Sequence, residues 1–121
     1  VSSTRREPLY LRDIVEAADA IAAFIANVDP ERFAGDDLVR SAVLHKLQVI
    51  GEAAAHVGEE TRGRAPAIPW QQVVGFRNYT VHAYFAMDWE IVWTTAVEDA
   101  PAIGSAVAAL IDSLGDDSSG P

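Results

Sequence analysis

The stretch PLYLRDIVEAADAIAAFIANVDP, residues 8–30, decides the fold. Leu11, Ile14, Val15, Ala18, Ile21, Ala22 and Ile25 recur at i, i+3, i+4 and i+7, the spacing that lines one face of a helix. Nothing here alternates with the period of two that a half-buried strand requires. The spacing predicts a helix from about Pro8 to Val28. Asp29-Pro30 ends it, because the residue before a proline is disfavoured in helical conformation.

The same period recurs downstream. A second helix is expected from Asp36 or Asp37, either of which can cap exposed amides. Its apolar stripe is Val39, Val43, Leu47, Ile50, Ala54 and Val57. Gly51 in mid-helix costs roughly 1 kcal/mol relative to alanine, a cost that a close helix contact would explain. Gly58, Gly63, Pro66 and Pro69 mark a connection, and Pro69-Trp70 suits a helix entry. Asp88 reads as the N-cap of a fourth helix with Trp89, Val92, Trp93, Ala96 and Val97 on its core face. Pro101 must kink or restart that helix, after which Ile103, Ala106, Val107, Leu110, Ile111 and Leu114 resume the stripe. The expected architecture is an all-α, up-down bundle of four to five helices. The helical domain spans 9–114, between a flexible N-terminus (1–8) and a disordered acidic tail (115–121).

Composition limits the function classes. Half of the 121 residues are apolar, enough for a packed core and against disorder. The absence of cysteine removes disulfides, thiolate nucleophiles and zinc–cysteine sites. No apolar run approaches membrane-spanning length and no export signal is evident, so a cytoplasmic location without membrane contact is expected. The net charge is −9, yet all nine Lys and Arg residues lie at or before Arg77. The segment after it carries Asp88, Glu90, Glu98, Asp99, Asp112, Asp116 and Asp117 with no base. A sequence-independent nucleic-acid binder needs cations against phosphate. Any nucleic acid handled here must be met by a few arginines or shared with a partner.

The third helix is the unusual one. Gln71, Gly75, Asn78 and His82 fall on a narrow polar row, between an apolar row of Trp70, Val73, Val74, Val81 and Tyr84 and another of Phe76, Tyr79, Ala83 and Met87. Two apolar sides call for two neighbours, one of them in a second subunit. Arg77 stands within the first apolar row, where a guanidinium must pair, reach out, or serve a site. Taken singly, each residue has a plain reading: a surface arginine, an exposed histidine and a core tyrosine with a wet hydroxyl. Glu52 and His56 stand one turn apart, but the repeated Glu-x-x-His of a di-iron bundle is absent. His45 and His56 read as solvent-facing or core-edge side chains. No donor cluster of recognised spacing calls for a metal, and no glycine loop for a nucleotide cofactor; none of either is expected.

The wider pattern resembles the HepT-like toxin family of the HEPN superfamily from about Leu11 to Leu110. The matching pieces are Leu11-Arg12-Asp13-Ile14, Ile50-Gly51-Glu52-Ala53-Ala54, Ile68-Pro69-Trp70 and Gly75-Phe76-Arg77-Asn78, followed by His82-Ala83-Tyr84-Phe85, Asp88 and Val92-Trp93. They occur in the family's order and spacing. The family's R-x4-H-x-Y motif is present as Arg77, His82 and Tyr84, with Ala83 where glycine is commoner. The resemblance implies a HEPN-type homodimer and a toxin that cleaves RNA without metal. Arg77 would bind the scissile phosphate, and His82 would act as general acid or base. A forked arginine matches phosphate oxygens, and histidine titrates near neutrality. Asn78 and Glu52 are candidate supporting residues. The resemblance also implies an MntA-like nucleotidyltransferase antitoxin that silences the toxin by AMPylation of Tyr84, where added phosphate would block the site. The competing expectation is a non-catalytic HEPN module that docks on a nucleotidyltransferase and binds nucleotide. The acidic balance favours that rival; the intact Arg, His and Tyr favour the enzyme.

Helix geometry adds one requirement. On an ideal helix Arg77 and Tyr84 lie about 20° apart, but Arg77 and His82 about 140° apart. The helix ends near His82, arginine's length closes the gap, or the site is composite across a two-fold dimer. The second apolar face of the helix favours the dimer.

Overall fold

A computed structural model describes residues 2–82 and 84–118, and the side chains of residues 6–82 and 85–115. The chain runs α1 (Ser2–Ile25), α2 (Pro30–Gly35), α3 (Asp37–Ala55), α4 (Glu59–Gly63), α5 (Trp70–His82), α6 (Trp89–Thr94) and α7 (Ala100–Ser118). A 3-10 turn covers Tyr84–Ala86, and a π turn over Thr95–Asp99 joins α6 to α7. Among the described residues there is no strand. The long rods are α1, α3, α5 and the continuous α6–π–α7 run, which is the all-α bundle that the apolar period demands.

The core forms where the stripes meet. Leu11, Ile14, Ala17, Ala18 and Ile21 of α1 are buried against Val43, Leu47, Ile50 and Ala54 of α3 and against Val107 and Leu110 of α7. Gly104 lets α1 and α7 approach closely, since a Cβ there would lie 2.8 Å from the Ala18 methyl. Two stripe positions depart from expectation: Ala22 and Val97 are exposed. α5 leans on α3, and a partly open apolar groove of about 360 Å³ runs between its first turns, the π turn and the start of α7.

The local chemistry explains the boundaries. α1 stops at Ile25, short of the expected Val28, and Asp29 caps a new helix: its carboxylate accepts from the Arg32 amide at 2.8 Å, and Pro30 occupies the first turn of α2. Phe33 then reaches the core, its ring 5.0 Å from that of Trp93. Asp36 caps α3 through the Val39 amide at 3.1 Å, and Asp88 caps α6 through Glu90 at 3.0 Å. The π turn ends two residues before Pro101, and the Ala100 amide reaches back to the Thr95 carbonyl. A proline cannot supply the regular bond, and one widened turn accommodates it without stopping the rod.

Both ends of the bundle are more helical than the sequence suggests. α1 starts at Ser2, within the segment read as flexible. Within α1, Glu7 accepts from the Gly58 amide at 3.2 Å and the Thr61 hydroxyl at 2.5 Å, which ties this turn to the start of α4. α7 continues past Leu114 to Ser118, because Gly115 does not take the left-handed conformation that commonly ends helices. The rest of the expected acidic tail, 119–121, lies outside the described residues. No helix is long and apolar enough to cross a membrane among the described residues.

Candidate functional site

Gly51 places the site. A methyl group at this position would overlap the Arg77 Cβ, so glycine lets α5 settle on α3 with Arg77 directly over residue 51. The next residue on α3 is Glu52, and its carboxylate meets the guanidinium: Arg77 Nη2 lies 2.9 Å from Glu52 Oε2. On the other side Arg77 Nη1 donates to Asn78 Oδ1 at 2.7 Å. The guanidinium is thus held at both terminal nitrogens. Its side chain is 37% exposed and that of Glu52 54% exposed, so the fork sits on the rim of the bundle with donors left for a ligand.

The backbone beneath is fixed from inside. Thr80 is fully buried, and its hydroxyl donates to the Arg77 carbonyl at 2.7 Å, which satisfies the polar group within its own helix. Below the last turn, the Asp88 amide donates to the Tyr79 hydroxyl at 3.1 Å and links α5 to the cap of α6. Glu52 extends the cluster the other way. Its Oε1 lies 3.6 Å from His56 Nε2, and the His56 ring stacks on Tyr10 of α1 at 4.6 Å between centroids, 11° from parallel.

Arg77, Asn78 and Glu52 therefore come together. His82 does not join them: it is the last residue of α5, exposed, and no hydrogen bond or ion pair among the described residues connects it to Arg77. Helix rotation separates the two side chains, and the helix ends at His82 itself. Tyr84 opens the 3-10 turn, but its side chain lies outside the described residues, as does Ala83. Sequence reasoning overlooked Tyr10 and Thr80 and set His56 aside. The one signal for His56 was its position one turn after Glu52; nothing local pointed to Tyr10. No group of three or more His, Asp or Glu side chains that could hold a metal occurs among the described residues.

A family model described as Ribonuclease HepT-like matches residues 14–110. The chain belongs to the HepT-like ribonuclease family. The matched span runs from α1 to α7 and includes Glu52, His56, Arg77, Asn78, His82 and Tyr84. A Methanocaldococcus jannaschii protein named "Putative RNase MJ1380" is 35% identical to this HepT-like chain over 101 residues, 84% of this chain and 93% of that protein. "Probable ribonuclease HepT" of Thermococcus cleftensis is 35% identical over 94 residues, 78% of this chain and 86% of that protein. "Putative RNase TTE0752" of Caldanaerobacter subterraneus subsp. tengcongensis is 26% identical over 102 residues, 84% and 91% of the two chains. No solved structure matches the HepT-like chain.

Proposed function

We propose that this chain is the ribonuclease toxin of a toxin–antitoxin pair and cleaves RNA with protein groups alone, without metal or other cofactor. The observation that carries the proposal is the Arg77 fork, held by Glu52 and Asn78 on an accessible rim, with His82 at the end of the same helix. Arg77 binds the scissile phosphate and offsets the charge that builds on it. His82 takes the proton from the ribose 2′-hydroxyl, whose oxygen attacks phosphorus, or returns a proton to the departing 5′-oxygen. One histidine does not do both at once. A homodimer that brings a second copy's His82 into the same cleft supplies the other half. The exposed Val81 and Phe85 beside His82 give such a contact an apolar surface to cover.

The partner in this proposal is an MntA-like nucleotidyltransferase antitoxin that transfers AMP to Tyr84. The added phosphate would stand two residues from His82 and repel the substrate's own phosphate. The acidic balance supports a second reading, in which the chain is a non-catalytic module docking on the nucleotidyltransferase.

Incubating RNA with the purified chain, chelator present, beside His82→Ala and Arg77→Ala separates the two. Cleavage by the parent alone is the expected result; equal traces from all three would leave the docking module. Intact-mass measurement after co-expression with a nucleotidyltransferase should show AMP on the parent and none on Tyr84→Phe. Sedimentation that finds only monomer at micromolar concentration would remove the composite site.

A further inference from the structure

We infer that His56 and Tyr10 form a stacking subsite for a nucleobase of the RNA, next to the phosphate held by Arg77. The inference rests on the ribonuclease reading above and adds a ligand contact to it. Three observations carry it. The two rings are already parallel, 4.6 Å apart, and the His56 side chain is 49% exposed, which leaves aromatic surface open to solvent. Glu52 links this pair to the phosphate-binding group, with one carboxylate oxygen 3.6 Å from His56 and the other 2.9 Å from Arg77. The rings therefore stand one carboxylate away from the guanidinium, a separation suited to the base and phosphate of neighbouring positions on one strand. Arg6, exposed and one helical turn before Tyr10 on α1, continues the same line with a second cation.

Charge decides what occupies the rings. The Glu52 carboxylate repels a phosphate placed beside His56, but it accepts readily from the N–H groups on the edge of a neutral base. Stacking on aromatic side chains suits any base and contributes substantially per contact, which an acidic protein with few cations needs.

The test measures binding without cleavage. A labelled oligodeoxyadenylate, which lacks the 2′-hydroxyl, is compared with an abasic deoxyribose-phosphate oligomer of equal length on the full chain. The parent should prefer the base-bearing oligomer by about tenfold. His56→Ala and Tyr10→Ala should lose this preference and bind the abasic oligomer as the parent does. His56→Trp and Tyr10→Phe, which keep an aromatic face, should retain it, and Arg77→Ala should weaken both oligomers alike. No preference in the parent, a preference that survives His56→Ala, or loss of it in Tyr10→Phe overturns the subsite. A chain that shows the preference and never cuts RNA keeps the subsite and rejects the nuclease. A chain that cuts RNA but binds both oligomers equally rejects the subsite alone.

Discussion

The contact between α1 and α3 and the contact between α3 and α5 are built from opposite materials. Among the described residues five of α1 are buried, all of them apolar, and each reaches the core shared with α3 and α7. α5 buries only Trp70 and Thr80 and keeps Val73, Val74, Phe76, Arg77 and Tyr79 half-covered. The first contact holds the molecule together by removing apolar area from water. The second holds a charged fork at the rim, and deep burial there would force the guanidinium to find partners inside the protein instead of on a ligand. The helix that carries the charged fork is the loosely covered one.

Core truncation is the strongest way to break this contrast. Ile14→Ala should cost about 3 kcal/mol, within the usual range for emptying a sealed aliphatic site, and lower the melting temperature by roughly 10 °C. Val74→Ala, half-covered on α5, should cost under about 1.5 kcal/mol. Equal losses in thermal denaturation would mean that α5 shares the core's load and that the contrast is false.

The two contacts are joined at Gly51, where the next largest effect belongs. Gly51→Ala gains about 1 kcal/mol of helix propensity but drives a methyl into Arg77, so a net loss of about 1–2 kcal/mol is expected. RNA cleavage should fall further than stability, because the fork moves with α5. Gly75→Ala is the matched control. Its added methyl meets open space, so the same propensity gain should appear unopposed as up to about 1 kcal/mol of stabilisation. A Gly51→Ala protein as stable and active as the parent would show that the close approach of the two helices is dispensable.

Thr80→Val sharpens the same point with a smaller effect. It keeps the shape but leaves the hydroxyl's bond to the Arg77 carbonyl unmade, a loss of about 1 kcal/mol by chemical denaturation. No change at all would mean that this bond does not support the helix under Arg77.

These residues also mark how far sequence reaches. The buried stripes of α1 and α3, the cap at Asp88, a cap at Asp36 or Asp37 and the close approach at Gly51 were legible, because each is a local pattern with a fixed period or offset. α2 was not: Asp29-Pro30 was read only as a stop, although the same pair can start a helix. Ala22 and Val97 lie on a stripe yet face solvent, since periodicity identifies a face without saying how far the neighbouring helix extends. Thr80 drew no expectation, since nothing in the sequence marks a threonine whose hydroxyl is satisfied within its own turn. Arg77 and Glu52 were each named from the motif pattern, but their pairing, like the stacking of Tyr10 on His56, joins separate helices and has no local signature. The position of His82 was half legible. Helix rotation showed that it leaves Arg77's face, and the structure adds that α5 ends there.

Glu52→Gln gives the smallest change in stability and the finest test of what the rim is for. An ion pair this exposed contributes about 0–1 kcal/mol, so the melting temperature should scarcely move. Catalysis should respond in two opposed ways. Glutamine removes a negative charge beside Arg77, the group proposed to bind phosphate, so RNA should bind more tightly and KM should fall. It also replaces a charge-assisted bond to Arg77 with a weaker one, so the guanidinium loses its fixed orientation and kcat should drop about tenfold. A merely structural Glu52 would leave both constants alone or change them only through unfolding. A lower KM with an unchanged kcat would mean that the carboxylate only competes with RNA for Arg77. A lower kcat with an unchanged KM would mean that it orients Arg77 and the charge is already screened. The split between the two constants, at nearly constant stability, therefore reads directly how a half-exposed helix positions a group that the buried core cannot reach.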